Sequence, residues 1–253
     1  MMLDFDGQVV VVTGSGSPKG IGRTIANAFA GQKAAVIVAD INEEGVNDTV
    51  KEIKKNGGEA MGVTVNVTSP ESVTKMVDDV MNAYGRLDVL VNNAGISQKV
   101  TVEDMKLEDM RRIFEVNVYG LILTTQACMK PMRENKYGRI VNLSSVSGKR
   151  GGGVFGGAHY SASKAAVLGF SKNLSREISV EGITINSVCP GLINTEIWKS
   201  LPEEDAKKVI DGIPMGRPGE TKEVADTILF LASKEASYIT GEEIDINGGS
   251  HMD

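Results

Sequence analysis

The chain has 253 residues, with 27 Lys and Arg against 33 Asp and Glu, a net charge of −6. That length suits one large domain or two small ones, and an acidic balance excludes a polybasic nucleic-acid or membrane binder as the starting expectation. Glycine fills 29 positions without a Gly-X-Y period, so much of the backbone must turn sharply or approach something closely.

Taken in chain order, Met1–Asp6 carries neither the basic region nor the apolar core of a secretory signal, and no bilayer-length apolar run follows. Strand-like runs then alternate with helical patterns. Val9–Val12 is a β-branched run of the kind buried on both faces of a parallel sheet. Gly20–Gln32 places Ile21, Ile25, Ala28 and Phe29 on one helical face. Ala34–Asp40 is the second strand and Asn42–Asn56 the second helix. Further strands are expected at Val63–Val67, Val89–Val91, Ile140–Leu143, Ile183–Val188 and Ile244–Ile246. Helices are expected at Pro70–Tyr84, Met105–Arg133, Tyr160–Val180 and Lys222–Leu231. This βα alternation predicts a single α/β domain over 1–253, a doubly wound parallel sheet of about seven strands with helices on both faces. A segment around 193–220 breaks the rhythm with Trp198, three prolines and a short amphipathic helix; it reads as a lid over the carboxyl edge of the sheet.

The first strand runs into Thr13-Gly14-Ser15-Gly16-Ser17-Pro18-Lys19-Gly20-Ile21-Gly22, followed at once by a helix. Such a turn lets backbone N–H groups approach a pyrophosphate at a helix N-terminus. Asp40 ends the second strand, where a carboxylate can accept both adenosine-ribose hydroxyls and repel a 2′-phosphate; Ile41 follows it. Lys19 argues the other way, toward a 2′-phosphate, but a like charge in contact outweighs it, so NAD is expected over NADP. Tyr160 and Lys164 stand four residues apart on one helical face. A neighbouring ammonium is expected to lower the tyrosine pKa and suit it to proton exchange with an alcohol or ketone. Cys128, Cys189, His159 and His251 form no zinc or disulfide framework, so a metal-free, cytoplasmic protein is expected.

With Asn92-Asn93-Ala94-Gly95, Asn117, Ser145, the Tyr160–Lys164 pair and Pro190-Gly191 added to the glycine turn, the whole chain resembles the short-chain dehydrogenase/reductase family, a Rossmann-type fold. The resemblance implies a tetrad. Tyr160 is the general acid/base, and Ser145 hydrogen-bonds the substrate oxygen. Lys164 lowers the tyrosine pKa and binds ribose, while Asn117 holds a water behind Lys164. It also implies cofactor contacts along Asn93, Ala94 and Gly95, at Pro190, Gly191, Ile193 and Thr195, and around the adenine at Asn66 and Val67. The family usually has Asp in place of Asn66. Two spacings depart from the family: the glycine turn is two residues longer, leaving open whether Gly14 or Gly16 approaches the phosphates, and the stretch from Ser145 to Tyr160 is longer too. Gly148–Gly157 is therefore expected to loop out beside the substrate.

Substrate contacts are expected from Ser97, Gln98, Ser145, Arg150, Val154, Phe155, His159 and Trp198. The reading is an oxidoreductase moving hydride between NAD(H) and the carbonyl or secondary alcohol of a small substrate, such as a polyol, sugar or hydroxy acid. The alternative is an NADPH-dependent 3-oxoacyl-thioester reductase, and the non-enzyme alternative is a dinucleotide-binding regulatory protein. The resemblance further implies a homotetramer.

Overall fold

A computed structural model of the chain describes residues 3–195 and 203–252. Among them seven parallel strands form one sheet in the order β3-β2-β1-β4-β5-β6-β7. The strands are β1 Val9–Thr13, β2 Ala35–Asp40, β3 Glu59–Thr64, β4 Val89–Asn92, β5 Gly138–Leu143, β6 Ile183–Pro190 and β7 Glu243–Ile246. The apolar run of β1 splits by alternate residues. Val10 and Val12 join a core with Ile25, Phe29, Val224 and Ile228. Val9 and Val11 join a second core with Met76, Val80, Leu174 and Ile178 on the opposite face. Each face of the sheet is thus covered by helices, as the alternation of elements requires. No described helix is long and apolar enough to cross a membrane.

The helices are α1 Ile21–Gly31, α2 Glu43–Lys55, α3 Pro70–Tyr84, α4 Leu107–Phe114, α5 Leu121–Glu134, α6 Val146–Arg150, α7 Ala158–Ile178, α8 Glu203–Asp211 and α9 Thr221–Ala232. Their ends follow local chemistry. Asn42 caps α2 by accepting from Gly45 N at 3.2 Å, with Glu43 and Glu44 in the first turn and Lys54 and Lys55 in the last. Ser69 caps α3 ahead of Pro70, and Gly85 closes it in the left-handed region with φ 69°.

Three expected elements are corrected. The third strand lies at Glu59–Thr64, not Val63–Val67: β3 is an edge strand with alternating exposure, so its apolar content is low, while Val65 and Val67 run on past its end. The helix expected over Met105–Arg133 is broken into α4, a π-helical turn Glu115–Gly120 and α5. The Gly148–Gly157 loop begins as helix, because Ser145 caps α6 by accepting from Ser147 N at 3.1 Å.

β1 is flanked by β2 on one side and β4 on the other, so the chain leaves it in opposite directions. This switch point opens a crevice at the carboxyl ends of the strands.

Candidate active site

A cleft of about 700 Å³ fills that crevice, within the range that holds small molecules and cofactors. Gly14, Lys19, Gly20, Ile21 and Gly22 form one wall, and Asp40, Ile41, Asn66 and Val67 the next. Asn93, Ala94 and Gly95 form its floor with Ser145, Tyr160 and Lys164. Pro190, Gly191, Ile193 and Thr195 close the far side; Ser97, Arg150, Val154 and Phe155 line the remaining end.

The glycine wall is built by close approach. A Cβ on Gly22 would lie 2.3 Å from the Gly14 carbonyl oxygen and 2.4 Å from Asn93 Nδ2, so only glycine fits. Asn93 Nδ2 donates to the carbonyls of Thr13 (2.9 Å) and Gly14 (2.8 Å), tying the turn to the end of β4. Thr13 Oγ1 accepts in return from the backbone N–H groups of Asn93 and Ala94, both at 3.1 Å. Gly16 does not line the cleft. It packs behind the turn, its N–H donating to Asp40 Oδ2 at 2.8 Å, while the Asp40 Oδ1 accepts from Asn42 N at 3.0 Å. The two extra residues of the turn are therefore folded back against β2 and α2, where Thr49 Oγ1 donates to the Ser15 carbonyl at 3.0 Å. Helix α1 has no side-chain cap and no acid in its first turn, in contrast to α2 and α3. Its first N–H groups and its dipole thus suit a pyrophosphate, and the cradle fits a dinucleotide. At the adenine end, Asn66 commits its Oδ1 to Thr68, accepting from the N–H at 3.1 Å and the hydroxyl at 2.9 Å.

Ser145 caps α6 just beyond the end of β5, and Tyr160 lies in the first turn of α7. The Tyr160 phenol is hydrogen-bonded by Ser145, which pulls its pKa down, but burial outweighs this and the value is raised. Lys164 does not figure among the causes of that shift. Lys164 Nζ sits 5.9 Å from the Tyr160 ring centroid and donates to the Leu143 carbonyl at 2.7 Å. Burial in turn pushes the Lys164 pKa down to about 8.

Asn117 lies behind this wall on the π-helical turn, which supplies the local irregularity that aims it inward. Its Oδ1 accepts from Ile96 N (2.8 Å), and its Nδ2 donates to the Ile96 carbonyl (2.9 Å) and Ser163 Oγ (3.0 Å). Gln98 and His159 also lie behind the cleft wall rather than on it. Trp198 lies outside the described residues. The sequence reading passed over Thr13, whose position at the end of a valine run was the available signal. It also passed over Val146, Leu192 and Val209, which line the cleft but stand in apolar contexts that give no such signal.

The segment after β6 returns on itself. Asn194 N donates to the Gly219 carbonyl at 2.7 Å, and Gly219 N to the Leu192 carbonyl at 2.9 Å, closing a neck below the 193–220 stretch.

A family model described as enoyl-(acyl carrier protein) reductase matches residues 14–251. An uncharacterized short-chain type dehydrogenase/reductase of Sinorhizobium fredii is 41% identical over 245 residues, spanning 96% of this chain and 97% of its own. The 3-oxoacyl-[acyl-carrier-protein] reductase of Escherichia coli is 38% identical over 250 residues, spanning 99% and 100%. The crystal structure of 3-oxoacyl-[acyl-carrier protein] reductase from Brucella melitensis matches with a TM-score of 0.93 at 35% identity, covering 100% of this chain and 95% of that one.

Proposed function

The chain belongs to the short-chain dehydrogenase/reductase family of oxidoreductases, and from that premise we propose that it reduces the 3-oxo group of an acyl thioester to a secondary alcohol. The observation carrying this reading is the apolar share of the cleft lining, where Val146, Val154, Phe155, Leu192 and Val209 stand beside the polar Ser97, Ser147 and Arg150. An acyl chain gains about 0.8 kcal/mol for each methylene buried there. A polyol or sugar would gain little from those apolar side chains. The thioester alternative of the sequence reading is therefore preferred to its polyol, sugar or hydroxy-acid reading. The similarity to two 3-oxoacyl reductases supports the same choice.

A bound nicotinamide supplies the hydride. Tyr160 gives the proton to the carbonyl oxygen, and its raised pKa keeps the phenol protonated at neutral pH, as a proton donor requires. Ser145 hydrogen-bonds the same oxygen as negative charge develops on it. Lys164 stabilises the phenolate left behind and holds ribose hydroxyls. Asn117 fixes the Ile96 backbone and Ser163 beside them.

NAD(H) is the preferred dinucleotide in this proposal. Both oxygens of Asp40 accept backbone N–H groups, so the carboxylate is fixed at the cleft wall and a 2′-phosphate would meet it. Lys19 also lines the cleft, but one flexible ammonium does not offset that repulsion. The lid reading of the 193–220 stretch is supported by the neck that its described ends close; its residues 196–202 lie outside the described residues. Assembly into a tetramer is supported by the exposed small residues Ala162, Ala165 and Gly169 of α7 and by exposed Leu107, Met110 and Tyr119.

A panel followed by nicotinamide absorbance tests the reading: 3-oxoacyl and 2-enoyl thioesters, polyols and hydroxy acids, each with both dinucleotides. The expected result is highest kcat/KM for a 3-oxoacyl thioester with NADH. Faster turnover of an enoyl thioester or a polyol would overturn it.

A further inference from the structure

The strap between α6 and α7 carries Gly153–Phe155 and Gly156 into the cleft. It is fastened from one side by the segment after Gly95. Ser97 Oγ donates to the Phe155 carbonyl at 2.5 Å, and Gly157 N donates to the Gln98 carbonyl at 2.8 Å. The Gln98 side chain does not reach the cleft but spans two helices. Its Nε2 donates to Asp109 Oδ1 on α4 at 2.9 Å, and its Oε1 lies 3.4 Å from His159 Nε2 on α7.

Donor bookkeeping fixes the direction of this chain. The Asp109 carboxylate only accepts, which orients the Gln98 amide and turns its oxygen toward His159. His159 Nε2 must then carry the proton. Its Nδ1 becomes a bare acceptor, and that atom is indeed buried without a partner, in a ring only 2% exposed. Asp109 is itself held in place, its Oδ2 accepting from Lys106 N at 3.1 Å at the start of α4.

We propose that Gln98 is a positioning residue for the substrate side of the site. By joining Asp109 to the Nε2–H tautomer of His159, it locks α4 to the residue before Tyr160. Through its own carbonyl and the neighbouring Ser97, it sets how far the Phe155 strap stands from the substrate. This rests on the reading of the Tyr160 cleft as a ketoreductase site. The chemistry itself is left to Tyr160 and Ser145; Gln98 governs substrate fit.

The test uses the full-length protein and four variants: Gln98→Ala, Ser97→Ala, His159→Ala and His159→Gln, the last restoring an N–H near the position of Nε2. Kinetics with a 3-oxoacyl thioester and NADH are read beside NADH affinity by fluorescence and the His159 tautomer by ¹⁵N NMR. The expected result for Gln98→Ala and Ser97→Ala is a substrate KM raised about fivefold or more, with kcat and NADH affinity within twofold, as loss of a positioning hydrogen bond implies. His159→Gln should lie closer to the parent than His159→Ala. The parent spectrum should show the Nε2–H tautomer, a readout independent of activity, so that a failure of the ketoreductase reading is distinguishable. An Nδ1–H tautomer, an unchanged KM in Gln98→Ala, or a parallel loss of kcat and NADH affinity would overturn the proposal.

Discussion

Gly156 lies against the ring of Tyr160: a Cβ added to it would come within 2.4 Å of Tyr160 Cδ1 and 2.9 Å of Cγ. The ring of Tyr160, the proposed proton donor, is thus held from the strap side by bare backbone, and its hydroxyl from the other side by Ser145. Gly156→Ala is expected to push the ring aside and lower kcat by about 10²-fold, the scale of a misplaced acid catalyst. NADH affinity should hold, because Gly156 stands at the substrate end. Steady-state kinetics with a fluorescence titration check this; a kcat within threefold of the parent contradicts it.

Asp40 fixes the cofactor preference in the proposed reading. Asp40→Ser removes the carboxylate facing the ribose and also frees Gly16 N and Asn42 N, which it now holds. The ratio of kcat/KM for NADPH over NADH should rise at least about tenfold, or about 1.4 kcal/mol. Part of that change comes from a lower NADH value, since the turn loses an anchor. No change in the ratio would remove Asp40 from its role.

Thr13→Val keeps shape but deletes the oxygen that receives Asn93 N and Ala94 N. Ala94 N loses its partner beside the cofactor wall, Asn93 N keeps only the Val91 carbonyl, and the end of β4 loosens against the glycine turn. The expectation is about tenfold weaker NADH binding with kcat little altered. Calorimetric titration measures it, and unchanged binding argues that Asn93 alone holds the turn.

Lys164 makes stability depend on pH. Burial lowers its pKa from 10.5 to about 8 in the folded chain. Between those values the unfolded chain binds the extra proton, so stability gained from this group rises with pH and is complete only above the unfolded value. Relative to Lys164→Met, which cannot titrate, the parent should gain up to about 3 kcal/mol from pH 7 to 10.5. Urea unfolding of both proteins along that range reads the difference. A flat or falling difference contradicts the buried, proton-shedding amine.

The sheet was legible because its strands are buried on both faces. Continuous runs such as Val9–Val12 and Ile183–Val188 announce themselves, whereas the half-exposed edge strand β3 was displaced toward the more apolar Val65 and Val67. The break at Asn117 was not legible, since a π-helical turn inserts a residue without disturbing the apolar pattern around it. At the site, residues whose chemistry is rare in their context stood out: the glycine turn, Asp40 and the Tyr160–Lys164 pair. Gly16 belonged to the right turn but faces away, because only the folded path shows which two residues are bent back onto Asp40. The direction of the Tyr160 shift also needed the structure, as it depends on burial rather than on the spacing to Lys164. Apolar wall residues such as Leu192 and Val209 carry no local sign of whether they face a core or a cleft.

In the proposed reaction Tyr160 donates the proton as a 3-oxoacyl thioester is reduced. Tyr160→Phe removes the phenolic hydroxyl and keeps the ring against Gly156, so it tests this role with little structural disturbance. Measured with a 3-oxoacyl thioester and NADH, this variant should show a kcat lowered by at least about 10²-fold with NADH affinity within twofold of the parent. Turnover equal to the parent's would contradict it.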